Sequence, residues 1–303
     1  MTDSWHSYSK IYAIGHRATH DLFNETVTIE EKVDGSQFSF GRFGDEIRVR
    51  SKGRVFNVHA PDSMFRAACE TVLRLAPDLL DGVTYRGEVL QKPKHNVLAY
   101  ERVPTGNIIV FDIGVGNNDY MGYEAKAAEC ERIGLECVPL LFEGVIEGQH
   151  QLDELKGRIS VLGGQPIEGY VVKNYDRFNR DGKTLMGKWV SERFKEIHRR
   201  DYKAGDAVKS NVHAQLAKKY TTEARWDKAV QRLAEVDRLK GEPADIGPLI
   251  KAVQSDILDE CKEEIMEDLF KEYWKTLSRN VVRGLPEWYK AKLEASVFSD
   301  EVE

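Results

Sequence analysis

The stretch EEKVDGS at residues 30–36 decides how this chain is read, because it sets one lysine, Lys32, between two carboxylates, Glu30 and Glu31, and a sharp turn at Asp34 and Gly35. The preceding Val27, Thr28 and Ile29 are strand formers, and SQFSFGRF at 36–43 reads as a second strand, so Lys32 falls near a hairpin end. A protonated lysine is a poor nucleophile. One that attacks phosphorus needs desolvation or nearby cations to lower its pKa, and other groups to hold the phosphate. By itself Lys-x-Asp-Gly is also an ordinary hairpin turn, so its meaning depends on the residues further along the chain.

Those residues come in order. YRGEVL at 85–90 puts Glu88 in a β-rich run, and IIVFDIG at 108–114 puts Phe111 and Asp112 on a strongly apolar strand. EGYVVK at 168–173 alternates strand formers between Glu168 and Lys173, and LMGKW at 185–189 centres on Lys188. Taken singly, Phe111 would be a core side chain, and the glutamates and lysines would be surface charges. The ordered set resembles the covalent nucleotidyltransferases, the superfamily of ATP-dependent ligases and RNA capping enzymes. Within it the chain looks most like RNA ligases of the RNA ligase 2 type, over roughly the first two thirds of its length.

That resemblance implies an α+β fold. A nucleotidyltransferase (ATP-grasp-like) domain of antiparallel sheets flanked by helices is expected over 1–204, and an all-α domain over 205–303. It makes Lys32 the nucleophile that attacks the α-phosphate of ATP, leaving a lysine-AMP phosphoramidate. Phe111 would stack on adenine, Glu88 would bind the ribose, and Glu168 would help hold a metal and orient the lysine. Lys173 and Lys188 would lie near the phosphates, with Glu30 and Glu31 lining the nucleotide site. The chemistry fits these residue types. Charge that spreads over a transferring phosphoryl group is stabilised by cation and metal clamps, and Mg²⁺, or Mn²⁺ in its place, takes carboxylate and phosphate oxygens while keeping waters.

IRVRSKGRVFNV at 47–58 alternates apolar and basic residues like a half-exposed strand, presenting Arg48, Arg50 and Lys52 together. In the family an arginine here contacts the RNA end or the nucleotide. Arg50, Lys52 and Arg54 compete for that place, and Arg50 is favoured; the plain alternative is an edge strand protected by charge. The chain also departs from the family pattern. Met186 stands where the last motif usually has a first lysine, so either Lys183 compensates or a phosphate contact is lost. Gln37 stands where asparagine is often found, and Asp34 matches DNA ligases and cappers.

The 303 residues, 41% hydrophobic and 31% charged, suffice for two soluble domains. No apolar run could span a bilayer, and MTDSWHSYSK lacks a signal-peptide core. Cys69, Cys130, Cys137 and Cys261 form no metal-type pair and point to a reducing cytoplasm, that of a host cell if a phage carries the gene. A net charge of −6 does not exclude nucleic acid, because binding follows local charge. Residues 173–203 are locally basic, with Arg177, Arg180, Lys183, Lys188, Arg193, Lys195, Arg199, Arg200 and Lys203 interleaved with Tyr175, Phe178, Trp189 and Phe194.

Near Gly205 the character changes from short β-like runs to helices, broken at GEPADIGP and GLPEW. Ile250, Val253, Ile257, Cys261, Ile265, Leu269, Tyr273 and Leu277 form an amphipathic stripe, read as core rather than as a partner surface. Capping enzymes and DNA ligases carry a β-barrel after the last lysine motif, whereas RNA ligases of the type named carry helices. The expectation is therefore a monomeric ATP- and magnesium-dependent RNA ligase joining 3′-OH and 5′-phosphate ends, at nicks in duplex RNA or an RNA–DNA hybrid. The rivals are a guanylyltransferase or DNA ligase with the same lysine, and an inactive relative that only binds RNA ends.

Overall fold

Side chains on a strand point alternately to opposite faces, so a strand with charge on one face and bulk on the other must lie between a core and a cleft. That pattern builds the first part of the molecule. The computed structural model describes residues 4–96, 98–179, 182–191 and 212–299.

The strands are β1 (Tyr12–Ala13), β2 (Val27–Lys32), β3 (Ser36–Phe43), β4 (Glu46–Ser51), β5 (Val55–Phe56), β6 (Thr84–Val89), β7 (Ile108–Gly116), β8 (Asp119–Tyr120), β9 (Glu136–Cys137), β10 (Leu140–Gly144), β11 (Gly169–Phe178) and β12 (Thr184–Val190). One sheet has the order β1-β12-β11-β2-β10, and the other β5-β4-β3-β6-β7-β8 with β9 on β7. Pairing is antiparallel except for β1 with β12 and β7 with β9. The helices are α1 (Arg66–Leu75), α2 (Tyr123–Ile133), α3 (Gln149–Leu155), α4 (Val212–Tyr220), α5 (Glu223–Ala234), α6 (Ile246–Val281) and α7 (Leu285–Ser299).

In the first sheet Val27, Ile29, Tyr170, Val172 and Leu185 pack outward with Leu152 and Leu155 of α3. Their neighbours Thr28, Glu30, Lys32, Val171, Lys173, Met186 and Lys188 therefore share the other face. In the second sheet Phe38, Phe40, Val49 and Tyr85 pack outward with Ala68, Cys69 and Val72 of α1 and with Cys130 and Ile133 of α2. The stacked pair Phe40 and Tyr85, with ring centroids 5.1 Å apart, anchors that core. Each such side chain contributes about 1.5–3 kcal/mol by leaving water. Gln37, Ser39, Arg86 and Glu88 take the inner face. The two inner faces meet where Lys173 of β11 reaches Asp112 of β7.

The chain divides into two compact units, Met1–Lys195 with Trp226–Leu249, and Glu196–Arg225 with Ile250–Glu303. The expected boundary at 204/205 lies outside the described residues. In the second unit Lys219 of α4 donates to Glu264 and Asp268 of α6 at 2.9 and 2.8 Å. The buried Arg225 pairs with Asp256. The described residues beyond 212 are helical, as expected for an all-α region. The α6 stripe is a helix, but its expected burial is only partial, with Val253, Ile257, Ile265 and Leu269 half-buried. Cys261 is buried, while Ile250, Tyr273 and Leu277 are 53, 63 and 52% exposed. Among the described residues, no helix is long and apolar enough to cross a membrane.

Candidate active site

Lys32 ends β2, and its register partner on β11 is Gly169, which places the preceding Glu168 beside it. A Cβ on Gly169 would meet the Trp189 carbonyl oxygen at 2.0 Å, so only glycine lets β11 lie this close to β12. The Lys32 ammonium donates to Glu168 Oε2 at 2.6 Å. Burial works against that charge, but Glu168, Glu88 and Asp34 outweigh it and hold the lysine well above its ordinary pKa. Burial also raises the Glu168 carboxyl, with Lys32 opposing.

Glu88 comes from the facing sheet. Its Oε2 is buried and has no partner among the described residues. Burial first, then the charges of Glu168, Glu235 and Asp34, push its pKa up to about 8 against the pull of Lys32. The turn between β2 and β3 is built to bring it near. A Cβ on Gly35 would lie 2.8 Å from Glu88 Cβ. Asp34 accepts from Asn96 Nδ2 at 3.1 Å and from the Leu98 amide at 2.9 Å, while its own amide donates to the Tyr100 hydroxyl at 2.8 Å. Gln231 Nε2, from the part of α5 that belongs to the first unit, donates to the Gly35 carbonyl at 3.2 Å and to Ser36 Oγ at 3.1 Å.

Phe111 sits at a β-bulge. Arg86 pairs with Asp112 and Gly87 with Val110, which leaves Phe111 as the extra residue. A bulge re-aims its side chain and releases its carbonyl from the ladder. The Phe111 ring is partly buried against the cluster of Val33, Leu90, Tyr100 and Ile109, and the Tyr8 ring lies 5.1 Å away. The Phe111 carbonyl accepts from Lys126 at 2.8 Å and from Lys173 at 2.7 Å.

Those two lysines belong to a buried ion network. Glu30 accepts from Lys126 at 2.6 Å and from Lys173 at 2.7 Å, and Lys173 also donates to Asp112 at 2.9 Å. The hydroxyls of Tyr8 and Tyr175 donate to Asp112 as well. Burial opposes the Asp112 charge, but Lys173 and Lys126 prevail and hold its carboxyl below the ordinary range. Glu30, Glu31 and Lys173 were expected at the nucleotide, yet they are 1, 3 and 2% exposed. Lys173 gives three hydrogen bonds to protein acceptors. Glu31 points to the other side, accepting from Ser160 Oγ at 2.5 Å and from the Val161 amide at 3.0 Å. The physical reason is strand alternation inside a packed sheet, where a charge facing inward must find its partner. Tyr8 and Lys126 escaped the sequence reading because no motif or spacing marks them.

Of the three candidate cations near β4, Arg54 is paired with Asp62. Arg50 shares a register row with Ser39 and Arg86, next to the row of Gln37 and Glu88. Burial, then the like charge of Arg86, lowers the Arg50 pKa. Ser39 Oγ and Arg86 Nε are buried without a partner among the described residues. Lys188 lies in the row of Val171 and Glu30, and its charge acts on Glu168. Met186 is buried opposite Lys173, with its sulfur accepting from the Tyr8 hydroxyl at 3.2 Å. Lys183 is exposed just before β12. It stands three residues from Met186, on the order of 10 Å at strand rise, so it does not stand in for a lysine at 186. Of the basic stretch, Arg177 pairs with Glu25 at 2.5 Å, whereas Arg180, Arg193, Phe194, Lys195, Arg199, Arg200 and Lys203 lie outside the described residues. Among the described residues no three His, Cys, Asp or Glu side chains cluster as a metal cage. One carboxylate plus phosphate oxygens and water is the donor set that suits magnesium.

The sequence model of the family described as RNA ligase matches residues 25–190. The chain belongs to the RNA ligase family. Every motif residue from Lys32 to Lys188 falls inside the match, and the Tyr8 segment falls outside it. Among curated proteins no match to the chain is found. Among solved structures, a variant of Naegleria gruberi RNA ligase with ATP and Mn is 17% identical, with 62% of this chain and 57% of that chain covered at a TM-score of 0.49. Another variant with AMP and Mn is 16% identical, with 64 and 58% covered and a TM-score of 0.49. The same ligase with PPi gives 16%, 64 and 58%, and 0.47. The match spans less than two thirds of that ligase's length.

Proposed function

We propose that this RNA ligase uses ATP and a divalent metal to join an RNA 3′-OH to a 5′-phosphate at nicks in a duplex. In the first step Lys32 attacks the α-phosphate of ATP and expels pyrophosphate; in the second the AMP passes from Lys32 to the RNA 5′-phosphate, freeing the lysine; in the third the 3′-OH attacks that 5′-phosphate and expels AMP. The observation that carries this reading is the Lys32–Glu168 pair at 2.6 Å with the unpartnered Glu88 oxygen facing the same cleft. A nucleophile, a carboxylate to orient it and a buried acceptor for a ribose hydroxyl are what lysine adenylylation needs.

In the pair as it stands, Lys32 is an ammonium and cannot attack. Glu168 is the carboxylate that would hold a divalent metal, whose charge would offset that of the triphosphate. With Glu168 so engaged, Lys32 would lose its main counter-charge and release its proton more easily. Glu88, at about 8, is largely protonated at neutral pH and can donate as well as accept toward a hydroxyl. Phe111 offers the flat apolar face for adenine. Arg50, Arg86 and Ser39 offer donors one register row away, suited to a phosphate.

The substrate preference is tested by sealing assays on four labelled substrates: nicked duplex RNA, a nick in an RNA–DNA hybrid, nicked duplex DNA and two free RNA strands. The reading expects joining at an RNA 3′-OH in a nick, well above that of free strands. Equal joining of free strands would overturn the nick assignment, and joining of DNA alone would overturn the assignment to RNA ends.

A further inference from the structure

The family match ends at residue 190, yet residues 226–249 belong to the same compact unit as the cleft. Within them Gln231 reaches the turn that follows Lys32. Its Nε2 donates to the Gly35 carbonyl at 3.2 Å and to Ser36 Oγ at 3.1 Å, and Glu235 Oε1, one helical turn on, accepts from the same nitrogen at 3.0 Å. A side-chain amide has two hydrogens on that nitrogen, so three acceptors around it fix its plane.

The groups that Gln231 meets have other donors. Ser36 is fully buried, where a hydroxyl needs partners. His95 accepts from the Gln91 amide through Nδ1 at 3.1 Å, and burial favours its neutral form, so the Nε2 hydrogen points to Ser36 Oγ at 3.0 Å. The hydroxyl's own hydrogen faces Glu235 and Met64 Sδ. The Gly35 carbonyl has a second donor in Asn96 Nδ2 at 2.9 Å. Loss of Gln231 would therefore leave neither oxygen without a partner. What the turn would lose is its tie to α5.

The position of that turn matters to the site. A Cβ on Gly35 would lie 2.8 Å from Glu88 Cβ, and the charge of Asp34 acts on Lys32, two residues before it. A second tie keeps the end of α5 from sliding. Asp237 accepts from the Ser63 amide at 3.3 Å and from Ser63 Oγ at 2.8 Å, and the Ser63 carbonyl accepts at 2.6 Å from Gln91, which follows the strand of Glu88. We infer that Gln231 is a positioning residue for the first step, locking the Gly35–Ser36 turn against Glu88 and so setting where Lys32 stands when it attacks. The inference rests on Lys32 as the nucleophile, and it brings a segment downstream of the family match into lysine adenylylation.

The test compares Gln231→Ala with Asp237→Ala, which cuts only the Ser63 tie, by labelling with α-labelled ATP and by hydrogen–deuterium exchange of the full chain without ligand. A nucleophile displaced by about 1 Å loses on the order of a hundredfold in rate, so Gln231→Ala is expected to label at least about tenfold more slowly at saturating ATP. Its KM for ATP should stay within about threefold of the wild type, because the nucleotide's own contacts remain. The peptide covering residues 30–40 should exchange faster in Gln231→Ala alone, with the melting temperature unchanged. Asp237→Ala should label at the wild-type rate. A wild-type rate in Gln231→Ala overturns the inference. So do parallel losses of rate and melting temperature in both variants, which would make α5 a stabilising contact only. If the wild type takes no label, the Lys32 reading itself falls, and exchange still decides the tie: faster exchange confined to residues 30–40 upholds it, and unchanged exchange there overturns it.

Discussion

At the scale of single residues, the site is legible where chemistry needs a residue type at a fixed place in a motif, and silent where a partner arrives from elsewhere. Lys32, Glu88 and Glu168, which EEKVDGS, YRGEVL and EGYVVK mark as candidates, lie close enough for their charges to act on one another. Tyr8 and Lys126 were not found, because a buried charge recruits whatever neighbour the fold supplies. Glu88 is a buried carboxyl whose Oε2 has no partner among the described residues. Between the ordinary carboxylate value of 4.5 and about 8, the folded chain holds a proton that the unfolded chain has lost, so Glu88 costs stability as pH rises through that window. Glu88→Gln removes the cost. Thermal unfolding at pH above 8 should show the ligand-free variant more stable by about 1–2 kcal/mol, with the gain vanishing at acid pH. A loss of stability at high pH would contradict the burial account. Because Glu168 holds the Lys32 ammonium well above its usual pKa, the rate of lysine labelling by ATP should rise with pH between about 7 and 9. A rate independent of pH over that range would mean that the lysine is already neutral.

At the scale of elements, strands are read correctly by alternation, and the departures are local. The bulge at Phe111 was invisible in IIVFDIG, yet it frees the carbonyl that Lys126 and Lys173 share. Lys173→Met would leave Glu30 and Asp112 short of a cation inside the cleft, and denaturant unfolding should show a loss of about 3–5 kcal/mol. A loss under about 1 kcal/mol would mean that the network is solvated rather than buried. Gly169→Ala, forced against the Trp189 carbonyl, should part β11 from β12 and move Glu168. Its signature is weaker labelling of Lys32 together with a lower melting temperature, and wild-type values of both would refute the packing argument. The α6 stripe is only partly covered, with Ile250, Tyr273 and Leu277 exposed, for a different reason. Periodicity states which residues share a helix face, but not what covers that face. The second sheet and its α1–α2 cover followed the expected α+β plan, because Phe38, Phe40 and Tyr85 alternate with polar neighbours.

At the scale of the whole molecule, membership of the RNA ligase family rests on residues 25–190, and the chemistry assigned to that span rests on one nucleophile. The measurement that tests the central claim is incubation of the wild type and Lys32→Ala with α-labelled ATP and magnesium, then denaturing electrophoresis and acid treatment. An acid-labile label on the wild type alone establishes a phosphoramidate at Lys32. No label on folded wild-type protein free of pre-bound AMP, or equal label on Lys32→Ala, would contradict the account.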